Sequence, residues 1–208
     1  MTVDRANHKP ARTSHRGAAT RSALLDAAAH VFRTVGFARA GVSEVVEHAG
    51  ASVGSLYHHF TGKADLYMAL YEDYQQRQQE RTHQAVSRAR AQGESDPTRL
   101  MYIAARAYLD GAIEERATTL LFFSGDGPPG FESQLRERLR EWTDRNVALF
   151  RKADEPVDEA LLMVVSGAML VAVTEVVRRG DADARRLADD ITSLLSRLEP
   201  RERREHAG

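Results

Sequence analysis

The run from Gly36 to Asp65, GFARAGVSEVVEHAGASVGSLYHHFTGKAD, decides how this chain folds. Val42, Val45, Val46 and Ala49 stand at i, i+3, i+4 and i+7, which gives a two-turn helix one apolar face. Gly50 follows, at a place where a helix end needs a residue tolerant of a left-handed cap. Ser52 is the next N-cap and opens a second short helix through Val53, Leu56, Tyr57 and Phe60. Thr61-Gly62 ends that helix and caps a third, which begins near Lys63.

Two short helices joined by a glycine-containing turn form a helix-turn-helix, whose second helix is narrow enough to enter a DNA major groove. Gly54 lies inside that second helix, where glycine costs ~1 kcal/mol relative to alanine. Its presence implies that the backbone approaches something closely. Ser52, Ser55, Tyr57, His58 and Lys63 carry donors at or just beyond the helix, with the hydroxyls of Ser43 and Thr61 on either side. Hydroxyls, imidazole and ammonium can all contact phosphate oxygens, and the short ones reach base edges.

These residues resemble the TetR/AcrR family of one-component transcriptional regulators. The resembling run is Gly36-Phe37, Val42-x-x-Val45-Val46, Ala49-Gly50, Ser52-Val-Gly-Ser-Leu-Tyr-His-His-Phe60, and Lys63 before Leu66. The resemblance implies that Tyr57 and Lys63 hold the phosphate backbone while Ser52, Val53, Gly54, Ser55 and His58 face bases. Three positions depart from the family pattern. Gly41 stands where a threonine or serine usually caps the first of the two helices, so one common phosphate contact is missing. Ala51 replaces the usual valine, and Ser55 the usual threonine.

Charge is distributed unevenly along the 208 residues. Residues 1–63 hold eight Lys/Arg against four Asp/Glu, a formal +4, which leaves −5 for the rest of a chain whose total is −1. A basic end on an acidic body is expected where one end meets a polyanion. With no cysteine, disulfides and thiolate metal sites are excluded. Hydrophobic content of 42% and charged content of 28% are those of a soluble globular protein. No export signal is legible at the N-terminus, so a cytoplasmic location is expected.

Residues 1–17 are polar, basic and without period, and read as a flexible arm whose Arg12 and Arg16 can reach phosphates or a minor groove. A helix over Ala18–Val35 carries the stripe Leu24, Leu25, Ala28, Val31, Phe32 and Val35, and Phe37 plugs the small core it shares with Leu56 and Phe60. The helix from Lys63 to about Arg90 starts apolar and runs out polar over Gln75–Gln84, the pattern of a connector. Asp96 caps and Pro97 opens the next helix, ending near Arg116. Thr118–Ser124 is apolar with no readable period.

Gly125-Asp-Gly-Pro-Pro-Gly130 matches G-x-G-x-x-G, but two of its spacers are prolines without an N–H and no strand precedes it, so it reads as a plain loop. Phe131 to Phe150 has helical spacing. The Ala160–Val173 run is apolar nearly all round, which implies one face on the core and another on a second copy of the chain. Arg178-Arg179-Gly180 reads as a helix end, and Leu187, Ile191, Leu194, Leu195 and Leu198 form the stripe of the last helix.

The expected fold is all-α, with an N-terminal three-helix DNA-binding domain over residues 18–64 and its helix-turn-helix at about 41–60. A helical effector-binding and dimerisation domain follows over 65–199, then a charged tail over 200–208. The expected dimer surface comprises Val165, Ala168, Val171, Ala172 and Glu175 on one helix with the last helix's stripe, in line with the family's dimerisation through its last two helices. By the resemblance, some of Met101, Tyr108, Phe122, Phe123, Trp142, Met163, Ser166 and Met169 line an effector cavity; by periodicity alone each is core. The eight histidines make no ligand spacing, and no nucleophile or phosphate-loop motif occurs, so neither a metal, a cofactor nor an enzyme is expected. The functional expectation is a homodimeric repressor released from an operator duplex by a small molecule. The rival readings are a DNA-binding protein without an effector and a helical enzyme.

Overall fold

The computed structural model of the chain describes residues 11–138, 141, 159–195 and 197, and among these the regular structure is all helix. The chain divides into two compact units, residues 1–72 and residues 73–208.

The first unit contains α1 (Ala11–Val35), α2 (Val42–His48), α3 (Val53–His59) and the start of α4 (Lys63–Ala91). Helix α1 begins at Ala11, not at Ala18, so Arg12 and Arg16 lie on a helix and not in an arm. Ala11, Arg12 and Arg16 are good helix formers, and nothing after Pro10 interrupts them except Gly17, at a cost of ~1 kcal/mol. Helices α2 and α3 both pack on α1 and on each other. Their inner residues Val45, Val46, Leu56 and Phe60 are buried with Leu24, Ala28, Val31 and Phe32 of α1. Three rings fill the space beside them: Phe37 lies 5.6 Å from Phe32 and 5.1 Å from Tyr67 between centroids, and Phe32 lies 5.8 Å from Tyr67. Tilted aromatic pairs at such distances contribute ~0.5–1.5 kcal/mol each beyond their buried area.

The second unit is built from the rest of α4, α5 (Pro97–Glu114), α6 (Arg116–Phe123), α7 (described over residues 131–138), α8 (Glu159–Val177) and α9 (Asp181–Leu195). Asp96 caps α5, its carboxylate accepting from Thr98 N at 2.8 Å, and Pro97 occupies the first turn. The unreadable Thr118–Ser124 stretch is mostly α6. Thr119 fixes it there: its buried hydroxyl meets Tyr74 Oη at 3.1 Å and the Ala112 carbonyl at 3.2 Å. Helices α5, α8 and α9 pack mutually around Leu109, Ala112, Val173, Val176, Ala184 and Ala188.

One expectation for this unit is corrected. Gly180 does not adopt the left-handed C′ conformation. The turn between α8 and α9 is so short that Gly180 is already in the N-cap position of α9, its carbonyl accepting from Ala184 N at 2.8 Å. The inner face of α9 is Ala184, Ala188 and Leu195, with Leu187 and Ile191 only partly buried and Leu194 62% exposed. Alanines at i and i+4 let α9 approach closely, which turns much of the leucine stripe outward.

The polar second half of α4 also buries one of its polar side chains. Gln78 is fully buried, with neither its Nε2 nor its Oε1 partnered. Its carboxamide lies on the backbone of Gly111 so closely that a Cβ there would come within 2.3 Å of Oε1. An unsatisfied buried amide costs ~1–3 kcal/mol. Gln78→Met keeps length and volume and removes the orphaned atoms, so it is expected to raise the melting temperature by ~2–4 °C per kcal/mol recovered. A melting temperature at or below that of the parent in a thermal scan would show that the amide finds compensation.

Candidate nucleic-acid interface

Local chemistry builds the two-helix element. Helix α2 starts at Gly41 in extended conformation, and Glu44 reaches back to accept from Gly41 N at 3.0 Å. A residue with no side-chain oxygen thus still gets a closed first turn. Helix α2 ends through Gly50, whose φ of +60° lets the Ala51 amide return to the Val46 carbonyl at 2.9 Å. Ser52 then caps α3, its hydroxyl accepting from Ser55 N at 3.1 Å.

Helix α3 is thereby held with Leu56 and Phe60 inward, and the opposite side is open. Val53 is 46% exposed and Tyr57 57% exposed, with Ser52, Gly54 and His58 also exposed and Ser55 half-buried. A Cβ on Gly54 would meet nothing nearer than Ser52 Oγ at 3.9 Å, so whatever Gly54 admits must come from outside the unit. This face carries a phenol, an imidazole and a hydroxyl for phosphates or base edges, and an isopropyl group able to pack on a thymine methyl. Ser43 is exposed on α2. Helical placement is all that is described for Arg12 and Arg16.

Lys63 and Thr61 are placed differently from what the resemblance and position imply. The Lys63 ammonium donates to the carbonyls of Phe37, Ala38 and Ala40 at 3.0, 3.1 and 3.2 Å, and it sits 4.6 Å from the centroid of the Phe37 ring. An ammonium has three hydrogens, and here each has a carbonyl. Lys63 thus closes the α1–α2 loop, at a position where the resemblance implies a phosphate contact. Thr61 donates its N–H to Asp65 Oδ2 at 2.8 Å and its hydroxyl to the same oxygen at 3.3 Å, closing the turn into α4. Two exposed cations of this unit escaped the sequence reading. Arg39 donates Nε to the Val35 carbonyl at 2.8 Å, and the Arg21 guanidinium carbon lies 5.2 Å from the centroid of the Phe60 ring. Neither position differs in sequence from an ordinary solvated arginine.

In the second unit the candidate effector residues do not form one group. Met101 and Met169 are buried in the α5/α8/α9 core, with Tyr108 and Phe123 packed against it. Phe122 stacks instead between Tyr74 at 5.4 Å and Phe131 at 6.2 Å. Ser166 is buried, whereas Met163 is 70% exposed and faces away from any interior. Trp142 lies outside the described residues. Of the dimer candidates, Val165, Ala172 and Leu195 are buried in the unit's own core, and Val165 does not reach the groove. Ala168, Val171, Ala172 and Glu175 of α8 join Leu187, Ile191, Leu194 and Leu195 of α9 along an open, mostly apolar groove of about 380 Å³. Leu198 lies outside the described residues. No helix among the described residues is long and apolar enough to cross a membrane, and none of their His, Asp and Glu side chains gather in a group of three able to hold a metal.

Residues 24–70, which span α2, α3 and their flanks, match the family described as "Bacterial regulatory proteins, tetR family". The HTH-type transcriptional regulator TtgR of Pseudomonas putida is 33% identical over 87 residues, 41% of this chain and 39% of that protein. The chain thus matches well under half the length of that relative. Solved structures share the fold over most of the chain at lower identity. A TetR/AcrR-family regulator from Thermobifida fusca superposes with a TM-score of 0.59 at 21% identity, over 87% of this chain and 98% of that one. The regulator FadR from Bacillus subtilis in complex with stearoyl-CoA does so with a TM-score of 0.64 at 15% identity, over 85% and 97%. The match to the tetR family of bacterial regulatory proteins thus falls on the helix-turn-helix segment, residues 24–70.

Proposed function

We propose that the protein is a cytoplasmic, homodimeric transcriptional repressor that reads an operator duplex with α3 and leaves it when a small molecule binds the second domain. DNA reading falls to residues 18–64, and effector binding and dimerisation to residues 65–199. The observation that carries this reading is the open face of α3, with Tyr57, Val53, Ser52 and His58 outward while Leu56 and Phe60 anchor the helix from behind. A single two-turn helix offers little affinity, so two copies must engage successive major grooves, one turn or ~34–36 Å apart. A ligand that favours a misfit spacing releases the DNA, and a hundredfold preference supplies ~2.7 kcal/mol. The FadR complex with stearoyl-CoA supports a ligand-responsive helical domain on this fold.

The test is capture of genomic fragments by the purified full-length protein, followed by sequencing. Retained fragments are expected to share an inverted repeat, and a compound panel beginning with stearoyl-CoA is expected to contain a member that elutes them. Retention without sequence preference, or an operator complex that no compound dissociates, counts against the repressor-and-effector mechanism.

A further inference from the structure

Helix α3, VGSLYHH, contains no lysine or arginine, so the cation that neutralises phosphates beside it must come from a neighbouring element. Lys63 is spent on three carbonyls, and Arg39 already has its Nε tied to the end of α1. On α1, Gly17 and Arg21 are one turn apart on the same face. A Cβ on Gly17 would lie 3.9 Å from His59 Cε1, and Arg21 stands over the Phe60 ring. Both contacts place this part of α1 along the C-terminal end of α3, the end that carries exposed Tyr57 and His58.

We propose that Arg21 is a phosphate-binding residue, supplying the backbone contact that the family pattern assigns to Lys63 and making α1 a DNA-contacting element beside α2 and α3. This rests on the reading of α3 as the DNA-reading helix. Phe60 is 3% exposed while Arg21 is exposed, so the guanidinium lies on the ring with its outer edge in water. The contact with the ring is a cation–π one, and the exposed guanidinium keeps N–H donors that can grip a phosphate in a bidentate fork. The ring fixes the fork before DNA arrives, so less side-chain freedom is lost on binding.

The experiment measures full-length protein binding to a captured operator fragment and to an unrelated duplex of equal length, by fluorescence anisotropy across a range of KCl concentrations. Arg21→Gln is expected to weaken both duplexes by a similar factor. It should also flatten the plot of log affinity against log salt by ~0.9 per phosphate lost, ~2 for a dimer. Arg21→Lys keeps the charge and should hold most of the slope. Lys63→Met should leave the slope of the remaining folded protein at the parental value. A parental slope in Arg21→Gln, with its melting temperature intact, overturns the proposal, as does a slope loss that appears in Lys63→Met instead. Parent protein that binds neither duplex refutes the DNA-binding reading itself, a different result from binding that ignores Arg21.

Discussion

Glutamate in place of Val171 or Leu194 is expected to leave a folded monomer that no longer retains operator DNA. Both side chains are 62% exposed in the single chain, one on α8 and one on α9, and both line the open groove with Ala168, Leu187 and Ile191. Neither supports the unit's own interior, which rests on Val173, Val176, Ala184 and Ala188. Helicity and melting of the separate chain should therefore change little, since an exposed substitution usually moves stability by less than ~0.5 kcal/mol. In a two-fold seam the same residue appears on both copies, so each dimer would bury two carboxylates. An unpaired buried charge costs several kcal/mol, about 3–5 for a broken pair, which raises a dissociation constant by roughly two to four orders of magnitude. Sedimentation or light scattering reads the outcome directly. Glutamate variants that stay dimeric would place the seam elsewhere, and monomers that still protect two half-sites would remove the need for a dimer.

Lys63→Met is expected to destabilise the first unit and to do so locally. The ammonium draws together three carbonyls of one loop, and two of the three hydrogen bonds are part-buried. Hydrogen bonds to a charged group are worth ~1.5–3 kcal/mol when well shielded, so with partial exposure about 2–3 kcal/mol for the set is a reasonable total. That lowers the melting temperature by roughly 4–12 °C for a chain of this size. The effect should concentrate in amide exchange of residues 36–46, because the loop they form carries Phe37 into the ring cluster and sets the start of α2 at Gly41. Methionine retains the stem packed over Phe37, so loss of area is small and the charge is what the variant tests. Unchanged melting together with unchanged exchange would return Lys63 to the solvent, and to a direct phosphate role.

These two sites differ in what their sequence surroundings show. Val171 and Leu194 stand in apolar runs too rich for one small core, and the excess itself pointed to a second copy of the chain. Lys63 sits where the family pattern places a phosphate contact, and nothing within several residues of it contradicts that. The carbonyls that claim it come from 23 to 26 positions earlier in the chain. Arg21 is the converse: an unremarked arginine on a polar helix face, distinguished only by the ring that α3 brings beneath it.

By itself, then, the order of residues determined what depends on near neighbours. Ser52 as a cap, Gly50 as a left-handed turn, Asp96-Pro97 as a helix start and the outward set on α3 all follow from interactions spanning five residues or fewer, which the unfolded chain already brings close. Tertiary structure alone decided which carbonyls hold Lys63, that Gln78 is buried without partners, that Val165 turns inward while Val171 turns out, and that Ala184 and Ala188, with Leu195 alone of the leucines, form the inner face of α9. Each of these depends on which helix packs against which and how closely. That is set by side-chain volume across the whole unit, and no local periodicity encodes it.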